Sequence, residues 1–241
     1  MTRLRTADLP GETSEKLHDP VALPSVTVMT FHGWTSSALA FYEGLEADNS
    51  KTYWSAHKAI YDTDVLAPMI ELLDELAPRF GDGKIFRPYR DVRFSADKSP
   101  YKNAIGATTR HGGYVQLSAH GLAGGAGYYQ LDSDQLNRYR DAVDDESTGR
   151  ELTDTVARLA LKHIDIMSIG ALKSAPRGMS VDHPRIELLR LRGLAAWRQW
   201  PDAPWLATAN VKKRIIDFFD TTRPLVEWLD EHVGPSTSPR R

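Results

Sequence analysis

The residues with the clearest chemical potential lie in one basic segment, residues 84–102. This segment, KIFRPYRDVRFSADKSPYK, holds six basic and two acidic residues, a local charge of +4. Guanidinium and ammonium groups at this density are typical of sites that bind phosphate or carboxylate. We therefore predict that an anionic group binds here, and the residues of the segment expected to contact it are Arg87, Arg93, Lys98, Tyr101 and Lys102.

Alternation along the segment assigns further roles if residues 86–95 form a strand. Successive side chains of a strand point to opposite faces, which places Arg87, Asp91 and Arg93 on a polar face and Arg90 on the core face. Asp91 would then orient the two guanidinium groups that flank it. A structural alternative stays open, in which Asp91 pairs with these arginines and the segment is an ion-pair network.

Other site chemistries find little support. The chain has no cysteine, which excludes disulfides, thiolate nucleophiles and Cys-based zinc sites. Its eight histidines form no spacing typical of metal sites, so we predict no metal and no cofactor. The glycine-rich residues 121–127 lack the Lys-Ser/Thr of a phosphate loop. We expect these glycines to admit a neighbouring backbone or to leave room beside a pocket. Whether the protein is an enzyme is left undecided.

Composition restricts the class of protein. The net charge is −2 and 41% of the residues are hydrophobic, as in ordinary soluble proteins. No apolar run reaches the roughly 20 residues of a membrane span, and the N-terminus lacks the apolar core of a secretory signal. We expect a soluble, cytoplasmic protein that does not bind membranes. Residues 42–82 carry a local charge of −6, which argues against a broad nucleic-acid surface. The tryptophans are expected in the core, and the alternative for residues 197–200, with Pro201 and Pro204, is a groove for a partner.

Hydrophobic periodicity predicts the elements that must hold the basic segment. Helical patterns occur on both sides of a central run of alternating, extended segments. This order predicts an α+β fold whose mainly antiparallel sheet, a meander, is packed by helices before and after it. Helices are expected near residues 36–45, 53–61, 65–76, 132–143, 150–162, 184–191 and 211–229, and strands at 84–95, 104–109, 113–118, 122–131 and 195–200.

The domain organisation is expected to be simple. Residues 1–25 are polar and contain three prolines, so we predict that 1–28 form a flexible N-terminal extension. No linker or internal repeat divides the remainder. We therefore predict one α+β domain over residues 29–233 and a disordered tail over 234–241.

Five motifs resemble a known family. In order and spacing they are similar to the bacterial and fungal domain-of-unknown-function family 2461, and most similar to its actinobacterial-type members. The resemblance extends over about residues 29–233 and implies an α+β domain, with no established activity, substrate or cofactor. The motifs are Phe31-x-Gly33-Trp34, Asn49-x4-Trp54, the block from Arg87 to Lys102, Gly125-x-Gly127 and Ala175-Pro176-Arg177-Gly178.

The resemblance adds Arg177 to the predicted binding residues, because the family motif places its turn beside the basic block. Two departures from the family pattern are present. Members usually begin near Met29, so two interpretations of residues 1–28 stay open: an upstream extension or a mis-set start codon. Asn103 occupies a position where the family often has Thr or another small polar residue, and both offer a hydrogen-bonding group.

Two functional hypotheses follow. In the first, the arginine, lysine and tyrosine side chains line a pocket for a small ligand that carries phosphate or carboxylate. In the second, the protein is a non-catalytic interaction module whose basic block contacts an acidic protein or a nucleic-acid backbone. The sequence does not determine the ligand, the reaction or the oligomeric state.

Overall fold

The helices and strands confirm the predicted α+β class. The computed structural model describes residues 30–93 and 96–237, so the predicted N-terminal extension and the end of the predicted tail lie outside the described residues. The helices are α1 (Ser36–Ala47), α2 (Lys51–Ile60), α3 (Ala67–Phe80), α4 (Ser133–Asp144), α5 (Glu146–Ala160), α6 (Ile186–Leu189) and α7 (Asn210–His232). The strands are β1 (Gly83–Ile85), β2 (Ala104–Thr109), β3 (Gly113–Ser118), β4 (Gly121–Tyr128), β5 (Asp165–Met167) and β6 (Leu194–Trp200).

Side-chain caps fix the starts of α2 and α4. The hydroxyl of Ser50 caps α2 by accepting a hydrogen bond from the backbone N–H of Tyr53. Asp132 and Gln135 form a capping box at the start of α4. A π-helical turn, Tyr61–Leu66, joins α2 to α3 without a break.

The strands form one antiparallel sheet in the order β1-β2-β3-β4-β6-β5. The first four strands are the predicted meander. β6 then pairs with β4, and β5 pairs with the outer side of β6. The sequence did not predict β5, because three residues are too few for alternation to be recognised. β1 and β5 are therefore the two edge strands.

One face of the sheet packs against helices. α7 lies against β4, α3 against β2 and α1 against β3. The alternate residues Val115 and Leu117 of β3 are fully buried. Gly124 of β4 leaves room for an α7 ring, since a Cβ there would lie 2.9 Å from Phe218. The opposite face of β4 is consequently the one left for a ligand.

The Phe31-x-Gly33-Trp34 motif anchors the entry to α1. The backbone N–H of Phe31 donates to the Glu75 carboxylate (2.7 Å), and the indole N–H of Trp34 donates to the carbonyl of Val65 (3.1 Å). Lys212 of α7 also donates to Glu75. Burial alone would raise the pKa of Glu75, but the hydrogen bonds from Lys212 and Phe31 hold this pKa below its ordinary value. One carboxylate thus joins α3 and α7 to the segment that precedes α1.

Glu75→Ala is expected to lower the free energy of unfolding by about 2–3 kcal/mol, because it leaves a backbone N–H and an ammonium without their acceptor. For a chain of this size the melting temperature should fall by about 5–10 °C. The control is Asp74→Ala, at an exposed neighbouring position on the same helix, where a change within about 0.5 kcal/mol is expected. Equal melting temperatures for the two variants would contradict the anchoring role.

Candidate functional site

The basic segment does not form the predicted strand, and this prediction was wrong. β1 ends at Ile85, and residues 86–93 and 96–103 leave the sheet as a hairpin-like arm between β1 and β2, which we call the arm. The N–H of Phe86 still donates to the carbonyl of Gly106 (2.9 Å). Two residues later the next donor of the ladder is missing, because Pro88 has no N–H. The arm pairs with itself instead, for example through Lys102 N–H to the carbonyl of Pro88 (2.8 Å).

The assignment of alternating faces fails with the strand. Arg90 was expected toward the core, but it is half-buried within the arm and forms an ion pair with Asp97. Asp91 binds Arg93 through two bonds, 2.9 Å from Nε and 2.7 Å from the terminal nitrogen. These hydrogen bonds lower the pKa of Asp91 below its ordinary value. Both carboxylates of the arm therefore have guanidinium partners within the arm.

Tyr101 anchors the arm to the helices. Its ring stacks on Trp54 of α2 at 4.4 Å between centroids, with an interplanar angle of 6°. Asn49 clamps its backbone, since the amide oxygen accepts from Tyr101 N–H (3.0 Å) and the amide nitrogen donates to the Tyr101 carbonyl (3.1 Å). The same amide nitrogen donates to Asn103 (2.7 Å). Tyr101 is 5% exposed, so the predicted ligand contact is a buried structural residue here.

The other predicted basic residues lie at separate places. Arg87, Arg93 and Lys98 are exposed on the arm, where Lys98 donates to the carbonyl of Val92 (3.0 Å). Arg177 is exposed in a turn between β5 and α6. Their roles in ligand binding remain predictions. Of the predicted binding residues, Lys102 lines a surface cavity, together with Phe86 and Tyr114.

An aromatic groove crosses the sheet on the face opposite α7. It consists of two adjoining cavities of about 500 and 450 Å³, which we call together the groove. Both cavities are lined by Phe86, Tyr114 and Gln116. Trp197 and Gly125 line the larger cavity, and Lys102 and Gly106 line the smaller one.

Two glycines allow aromatic rings to lie down on the sheet. A Cβ at Gly125 would lie 3.3 Å from the Trp197 ring and 3.4 Å from Tyr114, and one at Gly106 would lie 2.5 Å from the Tyr114 hydroxyl. The planes of the Tyr114 and Trp197 rings are inclined by 28°, and their centroids are 6.0 Å apart. Phe86 continues the row at 6.2 Å from Tyr114. We call the Tyr114 and Trp197 rings the aromatic floor. Gly125 of the glycine-rich strand β4 lines the larger cavity, so this strand leaves room beside a cavity as expected.

The smaller cavity gives the groove a polar end. The ammonium of Lys102 lies over the Phe86 ring, 5.3 Å from its centroid. Burial and the nearby positive charge of Arg87 lower the pKa of Lys102 below the ordinary lysine value. Glu46 and His120 line the same cavity, and 3.7 Å separates the His120 Nε2 atom from the Glu46 Oε1 atom. An anion at Lys102 would relieve the repulsion between the two cations.

The sequence did not identify the aromatic floor. Trp197 was expected in the core, but its side chain is only half-buried and lines the groove, whereas Trp200 and Trp228 are buried as expected. The available signal was the glycine-rich strand, since glycines in a sheet indicate a close approach by other groups. The rings that approach come from other strands, and only the strand register identifies them.

Comparison with known proteins identifies the family. A family model described as "Conserved hypothetical protein (DUF2461)" matches residues 37–228. The chain belongs to this family. No curated protein and no solved structure matches it. The DUF2461 motifs have distinct places in the structure: Asn49 and Trp54 hold the arm, Gly125 underlies the aromatic floor, and Arg177 stands apart at its turn.

Two negative findings apply to the described part of the chain. Among residues 30–93 and 96–237, no group of three or more His, Asp or Glu side chains could hold a metal ion. The helices in these same ranges include none that is both long and apolar enough to cross a membrane.

Asn49→Ala is expected to release the arm from α2 while the core stays folded. It removes two hydrogen bonds to the Tyr101 backbone, worth about 1 kcal/mol each. Trypsin cleavage after Lys98 should accelerate about tenfold or more, because the open form of the arm, which trypsin can cleave, becomes more populated. Asn103→Ala is the matched control, since it loses only the side-chain bond to Asn49. Cleavage at the same rate in both variants would show that Asn49 does not hold the arm.

Proposed function

We propose that the groove binds a small organic anion with a flat, apolar body. The observation that carries the proposal is the aromatic floor beside a partly buried ammonium, Lys102, at one end of the same groove. Ligand sites are commonly apolar clefts in which a few polar groups fix the orientation. The flat body stacks on Tyr114 and Trp197, and the phosphate or carboxylate contacts Lys102.

This proposal keeps the anionic ligand predicted from the sequence and moves its site. Of the predicted residues, Lys102 binds the anion directly. Tyr101 acts through position. Its stack on Trp54 fixes the arm at the residue before Lys102, and the backbone N–H of Lys102 is in turn bonded to the carbonyl of Pro88. Arg87 strengthens the positive potential at Lys102. The Asp91–Arg93 and Arg90–Asp97 pairs stabilise the arm itself.

The test uses two fluorescent probes with the same flat body, 1-pyrenebutyrate and the uncharged 1-pyrenebutanol. Lys102→Gln should weaken pyrenebutyrate about tenfold, the effect of one charge-assisted hydrogen bond, and leave pyrenebutanol unchanged. Gly106→Ala should weaken both probes, because the new Cβ displaces the Tyr114 ring. Dissociation constants are measured by fluorescence anisotropy.

Two control variants locate the binding. Gly170→Ala adds a methyl group where no heavy atom lies within 4 Å, and Lys98→Gln removes an exposed cation of the arm; both should leave the two affinities unchanged. If Lys98→Gln weakens pyrenebutyrate as much as Lys102→Gln does, the anion binds on the arm surface and the groove proposal is wrong.

Pyrenebutyrate affinity should also depend on pH through Lys102. The protonated ammonium binds the carboxylate, so binding raises the pKa of Lys102. Affinity is therefore constant near neutral pH and falls as pH rises through the lowered pKa of the free protein, below about 10.4. His120 and Glu46 line the same cavity, and Lys102→Gln leaves both of them in place. Titrations from about pH 7 to 10 should show this fall, and Lys102→Gln should remove it; a fall that persists in the variant would assign it to another group.

A further inference from the structure

We infer that the ligand of the groove is a free purine nucleoside monophosphate. This inference rests on the proposed function and names the ligand class for the same groove. It is based on three features of the groove: a floor of two aromatic rings, a cation that lines the smaller cavity and not the larger one, and an amide donor beside the floor.

The width of the aromatic floor favours a bicyclic base. Tyr114 and Trp197 present two neighbouring rings whose centroids are 6.0 Å apart. A single six-membered ring covers one of them, whereas a purine covers parts of both. Nucleobases stack readily on aromatic side chains, and aromatic residues on neighbouring strands of an open sheet are an established way to hold them.

The positions of the cation and the floor require a linker. Lys102 lines the smaller cavity and not the larger one, whereas Trp197 lines the larger cavity and not the smaller one. A ligand that contacts both side chains must therefore extend through both cavities, and a ribose between base and phosphate supplies that extension. The carboxylate of Glu46, in the same cavity as Lys102, offers the acceptor that ribose hydroxyls commonly use.

The cation of the groove matches one phosphate. Lys102 lines the smaller cavity, and a charge-assisted hydrogen bond from its ammonium would hold one phosphate oxygen. At the opposite end the groove is apolar: among the described residues, the lining of the larger cavity includes no charged side chain and contains Met167 and Tyr129. A second phosphate would therefore have no partner, which favours a free nucleotide over a nucleic-acid strand.

Gln116 provides a donor for the base. Its amide oxygen accepts from the Tyr114 hydroxyl (2.8 Å), which orients the amide beside the floor. Within residues 30–93 and 96–237, the amide nitrogen of Gln116 has no hydrogen-bond partner. It is therefore the group expected to donate to a purine ring nitrogen.

The experiment measures binding of adenosine 5′-monophosphate and guanosine 5′-monophosphate by calorimetry, with adenosine and ribose 5-phosphate as fragments. We expect at least one nucleotide to bind about tenfold or more tightly than either fragment, because each fragment loses the stack or the charge-assisted bond. A six-nucleotide single strand of the same base should bind no more tightly than the nucleotide. Tighter binding of the strand would overturn the assignment to a free nucleotide.

Paired variants identify the contacts. Lys102→Gln should weaken the nucleotide about tenfold and leave adenosine unchanged. Trp197→Leu should weaken the nucleotide and adenosine alike. Trp205→Leu is the matched control, since Trp205 is also half-buried but packs under Arg214, 4.3 Å from its ring. Equal effects of the two tryptophan variants would contradict stacking on the floor.

Binding of pyrenebutyrate distinguishes a failure of the nucleotide assignment from a failure of the proposed groove function. If it binds with the expected dependence on Lys102 and both nucleotides fail to displace it at millimolar concentration, the nucleotide assignment is wrong and the groove function stands. If pyrenebutyrate also fails to bind the folded protein, both are wrong. Thermal unfolding of each variant shows that the protein compared is folded.

Discussion

The absence of a Cβ at three glycines is the constraint on which both faces of the sheet depend. Gly124 lets Phe218 of α7 approach the core face of β4, and Gly125 lets Trp197 lie on the opposite face. A larger side chain at either position would separate β4 from an aromatic layer. Gly106 does the same for Tyr114 on β2. β4 thus has glycines where it lies between two layers of aromatic rings. One of those layers forms the aromatic floor.

The arm connects this floor to the charge that the sequence displays most clearly. Stacking of Tyr101 on Trp54 and the clamp from Asn49 fix the arm on α2. Lys102, the next residue, is thereby held at the end of the groove. Most other charges of the basic block serve the arm itself, since its carboxylates pair with its own guanidinium groups. Within the basic block, Lys102 therefore lines the groove, whereas Arg90 and Arg93 form ion pairs within the arm.

Sequence reasoning succeeded where the signals were local and failed where they were not. The helices predicted near residues 36–45 and 132–143 and the strand at residues 113–118 depend on neighbours within a few positions, and the structure confirms them. Alternation at residues 86–95 predicted a strand, but the missing N–H of Pro88 ends the ladder there. The floor depends on register: Gly125 lies opposite Tyr114 on one side and Trp197 on the other. Such pairings join residues that are distant in sequence, so single-sequence patterns could not identify them.

Our main proposal is that a flat organic anion stacks on Trp197. It is tested by following the indole N–H resonances of the six tryptophans in ¹H–¹⁵N spectra during a titration with 1-pyrenebutyrate, with assignment of Trp197 from the spectrum of Trp197→Leu. We expect a large ring-current shift for Trp197 and little change for Trp228, whose indole N–H is bonded to the carbonyl of Thr148. Saturable binding that leaves the Trp197 resonance in place would show that the anion does not stack on this ring.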